Sequence, residues 1–214
     1  MPDTAQRALG VLALLTACPL IAMLAVLVRL ESPGPALFLA DRIGRDGRRF
    51  RCVKLRTMRW QPASAGPAIT TRSDDRVTRL GRLLRRFRLD ELPQLINVAK
   101  GEMNLVGPRP EDPRYVDFAD PLHRFVFMAK PGITGLAQLT FVDEARWLGD
   151  DPEDADRRYR ESVLPQKLAI DARYLRVRSW RLDAWILGQT VRAVLGPGSA
   201  TPDPPVSGPT DPTT

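Results

Sequence analysis

From Ala8 to Val28 no residue carries a charge, and no other run of the chain is as long or as apolar. The segment reads ALGVLALLTACPLIAMLAVLV, and as a helix rising 1.5 Å per residue it is about 30 Å long, the hydrocarbon thickness of a bilayer. No small-residue cleavage site follows it. The run passes through RLESPGP into an arginine-rich region, which predicts a retained membrane segment rather than a cleaved signal. Pro19 lies at its middle, where a proline removes one helix hydrogen bond and bends the axis. Two shapes follow: a straight span with the amino terminus across the membrane, or a sharp bend at Cys18-Pro19 returning both ends to one side. Arg7 and Arg29 flank the run at its two ends, so charge asymmetry does not choose strongly between them.

Beyond SPGP the period shortens. ALFLADRIGRDGRRFRCVKLRTM holds two strand-like runs around Gly44 and Gly47, a hairpin with a polar turn. Lys54 and Arg56, two apart, would share one face of the second strand. Residues 61–72 have loop composition. RVTRLGRLLRRFRL then has helical spacing, with Leu80, Leu83, Leu84 and Phe87 on one face and Arg82 and Arg85 opposite. Asp90 stands where it would end that helix and cap a second one, ELPQLINVAK, with Pro93 in its first turn. GEMNLVGPRPE and KPGITGLAQLT read as loops. Residues 151–179 are strongly charged and helical in part, and Trp180 to Leu195 form an amphipathic helix suited to a core or a membrane interface. The last nineteen residues include six prolines and no aromatic, the composition of a disordered tail.

Charge alters this picture. The net charge is +7, yet residues 41–100 hold sixteen basic and six acidic side chains while the two flanking regions together are slightly acidic. A field that concentrated attracts phosphate, on nucleic acid, a lipid headgroup or a nucleotide. Two cysteines make neither a disulfide framework nor a metal site, and one histidine excludes a multi-histidine centre. Any catalysis therefore falls to carboxylates, arginines and lysines.

The adjacent acids Asp90 and Glu91 follow directly on the arginine run. On a helix they point about 100° apart, which suits a shared metal or divided labour rather than a facing glycosidase pair. Arg85, and Arg109 in a rigid Pro-Arg-Pro loop, are placed to bracket a diphosphate, and Mg²⁺ would cancel its repulsion against the carboxylates. An aspartate so placed can attack phosphorus and split the transfer into two steps. Against this stand two alternatives, acids that merely neutralise neighbouring arginines and a membrane-anchored, non-catalytic binder of anionic lipid or nucleic acid. The second is short of stacking aromatics, since only Phe87 lies between Arg72 and Lys100.

The blocks SPGPALFLADRIGRDGRRFRCVKLRTM, DDRVTRLGRLLRRFRLDELPQLINVAKGEMNLVGPRPE and KPGITGLAQLT, in this order, resemble the signature of the bacterial sugar transferases, the monotopic polyprenyl-phosphate phosphoglycosyl transferases. The resemblance runs from about Arg7 to Leu195. It implies transfer of a sugar 1-phosphate from a nucleoside diphosphate sugar, usually a UDP-sugar, to polyprenyl phosphate, as the first membrane step of exopolysaccharide or glycoconjugate assembly. It implies Asp90 as nucleophile, Glu91 as its support and Mg²⁺ partner, and Arg85, Arg109 and Lys54 as phosphate-binding cations; Asp171 falls in its carboxy-terminal block without an assigned role. It further implies a re-entrant helix bent at a Ser-Pro pair, here Cys18-Pro19, on the cytoplasmic face of the plasma membrane. Two more local departures are Asn104, where a serine is common, and the acidic stretch from Phe141 to Ser162. The expected architecture is α+β, mostly helical with a small β-hairpin, a membrane-inserted helix over 1–31, interfacial amphipathic helices, a catalytic domain over 32–195 and a tail over 196–214. The expected partners are the two substrates and membrane lipids, with no nucleic acid and with room for a homo-oligomer.

Overall fold

The computed structural model describes residues 1–60, 70, 74–141, 145–149 and 151–196. Most of the expected loop over 61–72 and all of the tail after Gly196 lie outside the described residues. Helix α1 spans Asp3–Glu31 and contains Pro19. It is long and apolar enough to cross a bilayer, yet it lies against the rest of the protein. Its buried and half-buried positions Gln6, Gly10, Leu14, Ala17, Ile21, Leu24 and Val28 recur every three or four residues, one stripe of a helix. At one end the Gln6 side chain accepts the Val106 N–H at 2.9 Å, Arg7 donates to the Ala99 carbonyl at 2.8 Å, and Asp3 pairs with Lys130 at 3.1 Å. At the other, Leu24 and Val28 join Leu55 and Leu84 in a cluster. Between these ends Gly10 allows close approach, because a Cβ there would stand 2.3 Å from Val98 Cγ1.

The expected sharp break at Cys18-Pro19 is therefore absent, since the helix runs through it unbroken. Both residues are on the exposed side. A proline there removes a bond on the outer face, so any curvature it causes wraps the helix around the domain. Thr16 bonds back to the carbonyls of Leu12 and Ala13, the local compensation expected of a hydroxyl inside an apolar helix.

The hairpin forms as read. Strands β1 (Leu37–Ile43) and β2 (Arg49–Leu55) pair antiparallel, with Phe38 opposite Lys54 and Ala40 opposite Cys52. One face, carrying Ala40 and Cys52, packs on Val98 and Met103. After it come α2 (Arg79–Arg86), a 3-10 turn (Leu89–Gln94) and α3 (Leu95–Lys100). Thr78, not Asp90, is the residue that caps a helix here, accepting the Gly81 N–H at 2.9 Å. Leu84 is buried as expected, whereas Leu83 is 50% exposed.

Two stretches read as loops hold a second sheet. Strand β3 (Asn104–Val106) pairs in parallel with β4 (Gly132–Thr134). Each is three residues long, too short for an alternating pattern to mark it. Helix α4 (Pro121–Phe127) lies between them in sequence; α5 (Leu136–Thr140), α6 (Ala145–Leu148) and α7 (Pro152–Arg158) follow. A π turn over Tyr159–Val163 leads into α8 (Leu164–Val177), and α9 (Trp180–Leu195) ends the described chain. Helix α9 packs as a core helix through Leu182 and Ile186, while Trp180, Val191 and Leu195 remain exposed.

Candidate active site

Three elements meet at the paired acids. Strand β2 delivers Lys54, whose Nζ lies 2.8 Å from Glu91 Oε1. Just past the strand end, Thr57 Oγ1 accepts the Arg85 Nε–H at 2.9 Å. Helix α2 comes this close because residue 81 is glycine: a Cβ there would stand 2.1 Å from the Thr57 carbonyl oxygen. Although it lies opposite the apolar face of its helix, Arg85 is half-buried and held by Thr57.

Arg88 makes the turn that brings Asp90 into place. Its φ of 53° is left-handed, a conformation costing a non-glycine residue about 1 kcal/mol or more. Asp90 and Glu91 then occupy the first turn of a 3-10 segment that continues into α3, and the residue before that segment is Arg88, so Asp90 is not its cap. Arg88 is tied down by a 3.0 Å bond to the Gln138 carbonyl. From a third direction Arg109 Nη1 reaches 3.8 Å from Glu91 Oε1. Its backbone N–H donates to Asp171 Oδ2 at 3.3 Å.

The two acids differ sharply in environment. Burial alone would raise the Glu91 carboxyl, but Lys54 and Arg109 hold it down to about 2. Asp90 is raised, first by burial and then by the Glu91 charge, with Lys54 and Arg85 pulling it back. Glu91 is thus a fixed anion and Asp90 a more basic carboxylate. Burial lowers the Arg85 guanidinium while Asp90 and Asp74 raise it, and an arginine stays charged throughout. Lys54, Arg85, Arg88 and Arg109 act on the pair, two positive charges more than the acids cancel. That excess suits a diphosphate.

Lys54, Arg85, Asp90, Glu91 and Arg109 are therefore brought together, while Cys18 and Pro19 lie apart on α1. Arg56 does not share the face of Lys54. It is 5% exposed beyond the strand end, and its guanidinium holds the carbonyls of Val28, Ser32 and Pro33 where α1 ends. Sequence reasoning missed Thr57 and the part played by Arg88, neither of which has a pattern of its own. Asp171 gains a place: it is buried beneath the Arg109 loop, and burial pushes its carboxyl up to about 7 against the pull of the Arg109 and Ala137 backbone.

For Mg²⁺ the protein offers two adjacent carboxylates. Among the described residues no three of histidine, cysteine, aspartate or glutamate cluster as a metal site. This donor set fits an ion held by one or two carboxylates and completed by substrate phosphate and water. It does not suit a closed structural site.

A family model described as bacterial sugar transferase matches residues 3–197. The chain belongs to that family. It is 40% identical over 200 residues to the UDP-glucose:undecaprenyl-phosphate glucose-1-phosphate transferase of Caulobacter vibrioides, covering 90% of this chain and 70% of that protein. It is 38% identical over 197 residues to the UDP-N-acetylgalactosamine-undecaprenyl-phosphate N-acetylgalactosaminephosphotransferase of Aeromonas hydrophila, covering 89% and 43%. The exopolysaccharide production protein ExoY of Sinorhizobium fredii is 32% identical over 203 residues, at 87% and 81% coverage. The chain thus spans from less than half to about four fifths of these relatives, and the sugar differs between the first two.

Proposed function

We propose that the protein transfers a sugar 1-phosphate from a UDP-sugar to undecaprenyl phosphate by way of an Asp90-bound phosphosugar. The observation that supports this most is the convergence of Asp90 and Glu91 with Lys54, Arg85 and Arg109, in a bacterial sugar transferase whose first helix presents an open apolar face. In the first step Asp90 Oδ attacks the phosphorus that carries the sugar. The bond from that phosphorus to the bridging oxygen breaks, and UMP leaves with the oxygen and the electron pair. In the second step a phosphate oxygen of the lipid attacks the same phosphorus, the bond to Asp90 breaks, and the carboxylate is restored as undecaprenyl diphosphosugar departs. No proton need be abstracted from either nucleophile when both are ionised, which suits a site without histidine.

Arg85 and Arg109 receive the diphosphate oxygens from two sides, Lys54 neutralises Glu91 and the incoming phosphate, and Glu91 keeps Asp90 basic. Asp90 and Glu91 are the residues that would hold Mg²⁺, which would supply charge neutralisation for the diphosphate. Residues 1–31 form the membrane-inserted segment and residues 32–195 the catalytic domain. The docking of both ends of α1 on that one domain supports a monotopic placement, and use of a nucleotide sugar supports a site on the cytoplasmic face.

The test is incubation of the full chain with undecaprenyl phosphate, Mg²⁺ and a panel of labelled UDP-glucose, UDP-galactose, UDP-N-acetylglucosamine and UDP-N-acetylgalactosamine. One sugar should yield a lipid-linked product and stoichiometric UMP. Neither product with any of the four would overturn the reading.

A further inference from the structure

Strand β1 breaks the alternation expected of a half-buried strand: Leu37, Phe38 and Leu39 are three consecutive exposed apolar residues. The faces to which they belong are fixed by register. Leu37 and Leu39 stand opposite Leu55 and Val53, whereas Phe38 stands directly opposite Lys54. Opposed residues of an antiparallel pair share a face with Cβ atoms roughly 4.5–5.5 Å apart. Phe38, 49% exposed, is therefore an open aromatic ring next to the lysine that touches Glu91.

The same end of the hairpin adjoins the membrane helix. Arg56 donates its backbone N–H to the Ala36 carbonyl at 2.8 Å, while its guanidinium holds the Val28 and Ser32 carbonyls at the end of α1. Leu30, on the last turn of that helix, is 77% exposed. The start of β1 thus lies between an apolar helix end and a cluster of phosphate-binding cations. An acceptor with a phosphate head on a branched hydrocarbon chain has that polarity.

We infer that Phe38 forms the acceptor subsite, its ring receiving the first isoprene units of the polyprenyl phosphate so that the head phosphate arrives beside Lys54. This inference rests on the function proposed above. A nucleotide sugar has no use for an apolar contact there, so the contribution of Phe38 should fall on the second half-reaction alone.

The experiment compares wild type with Phe38→Ala and Phe38→Leu in detergent micelles, reading each half-reaction separately. UMP released in a single turnover without acceptor reports the first, and steady-state dependence on undecaprenyl phosphate and on farnesyl phosphate reports the second. Phe38→Ala should raise the KM for both lipid phosphates about tenfold, the scale of losing one buried apolar side chain. It should leave the UMP burst and the UDP-sugar KM unchanged, and Phe38→Leu should recover most of the loss. An unchanged acceptor KM overturns the inference, as does an equal loss on the UDP-sugar. So does a defect confined to vesicle binding with micelle kinetics intact, which makes Phe38 a bilayer anchor. Absence of wild-type turnover on every UDP-sugar overturns the proposed function itself, and this inference with it.

Discussion

Lys54 Nζ stands 2.8 Å from Glu91 Oε1 across 37 residues of sequence, and both side chains keep only about a sixth of their surface exposed. The contact joins the hairpin to the 3-10 turn and fixes which of two neighbouring acids is a permanent anion. Lys54→Met should therefore let Glu91 rise and compete with Asp90 for protons. We expect kcat/KM for UMP release to fall about 10²-fold, the scale of losing one preorganised electrostatic contact. A change under threefold would show that Lys54 serves structure alone.

Asp90→Asn should abolish turnover and the labelled enzyme-bound phosphosugar, a loss of at least about 10³-fold for a missing nucleophile. Burial raises the Asp90 carboxyl, so ionised Asp90 weakens the fold and the amide relieves that cost. The melting temperature of the variant should equal or exceed that of wild type. Residual covalent labelling in Asp90→Asn would remove this residue as nucleophile.

The hairpin and the last helix were legible because each combines a strong period with a turn or cap. Polar Gly44 to Gly47 separates β1 from β2, and Ser179 caps α9 through the Leu182 N–H. Grouping of Asp90, Glu91, Arg85, Arg109 and Lys54 was legible from residue type together with the resemblance. What escaped depends on backbone conformation or tertiary packing. The left-handed Arg88 converts an expected capped helix into a 3-10 turn, and nothing in the composition of RLDELPQ signals that. Strands β3 and β4 pair only because distant segments meet. Leu83 has the spacing of a core residue and stays exposed because its helix docks mainly through Leu84, Leu80 and Gly81. Arg56 was expected on the face of Lys54 and is instead buried because the end of α1 offers three carbonyl groups.

Thr57 can be tested by a pair of substitutions. Thr57→Val removes the acceptor that steers Arg85 Nε while keeping shape, and a hydrogen bond to a charged group contributes roughly 1.5–3 kcal/mol. We expect kcat/KM for the UDP-sugar to fall about tenfold or more, with Thr57→Ser close to wild type. Equal activities for valine and serine would exclude a positioning role for the hydroxyl.

Asp171 predicts a pH dependence. Its carboxyl is raised to about 7 in the fold from an ordinary value of 3.8, so between those values the folded state keeps a proton that the unfolded chain has lost. Stability from this group is greatest below about pH 4, falls as pH rises, and levels off above pH 7. Asp171→Asn carries no such titration. Relative to wild type the variant should gain roughly 2–3 kcal/mol between pH 5 and pH 8, read from denaturation of the detergent-solubilised chain at both pH values. Parallel curves would show that the carboxyl is ionised throughout.

The docking of α1 makes the proposed one-sided topology testable. Asp3, Gln6 and Arg7 bond to Asn104, Val106 and Ala99, and Leu24 and Val28 pack with Leu55 and Leu84, so both helix ends belong to the domain that carries Asp90. A straight span would pull the first group of contacts across the bilayer, at the cost of leaving Gln6 and the Val106 N–H unpaired in a buried place. In a Cys18→Ser background, single cysteines at Pro2 and at Arg48 in the hairpin turn should react with a membrane-impermeant maleimide from the same side, the cytoplasmic one. Labelling of the two positions from opposite sides would establish a span. It would also dissociate α1 from β3 and remove the reason for glycine at position 10, so Gly10→Val would then be tolerated; with the helix docked, that substitution drives a side chain into Val98 and should lower the melting temperature by several degrees.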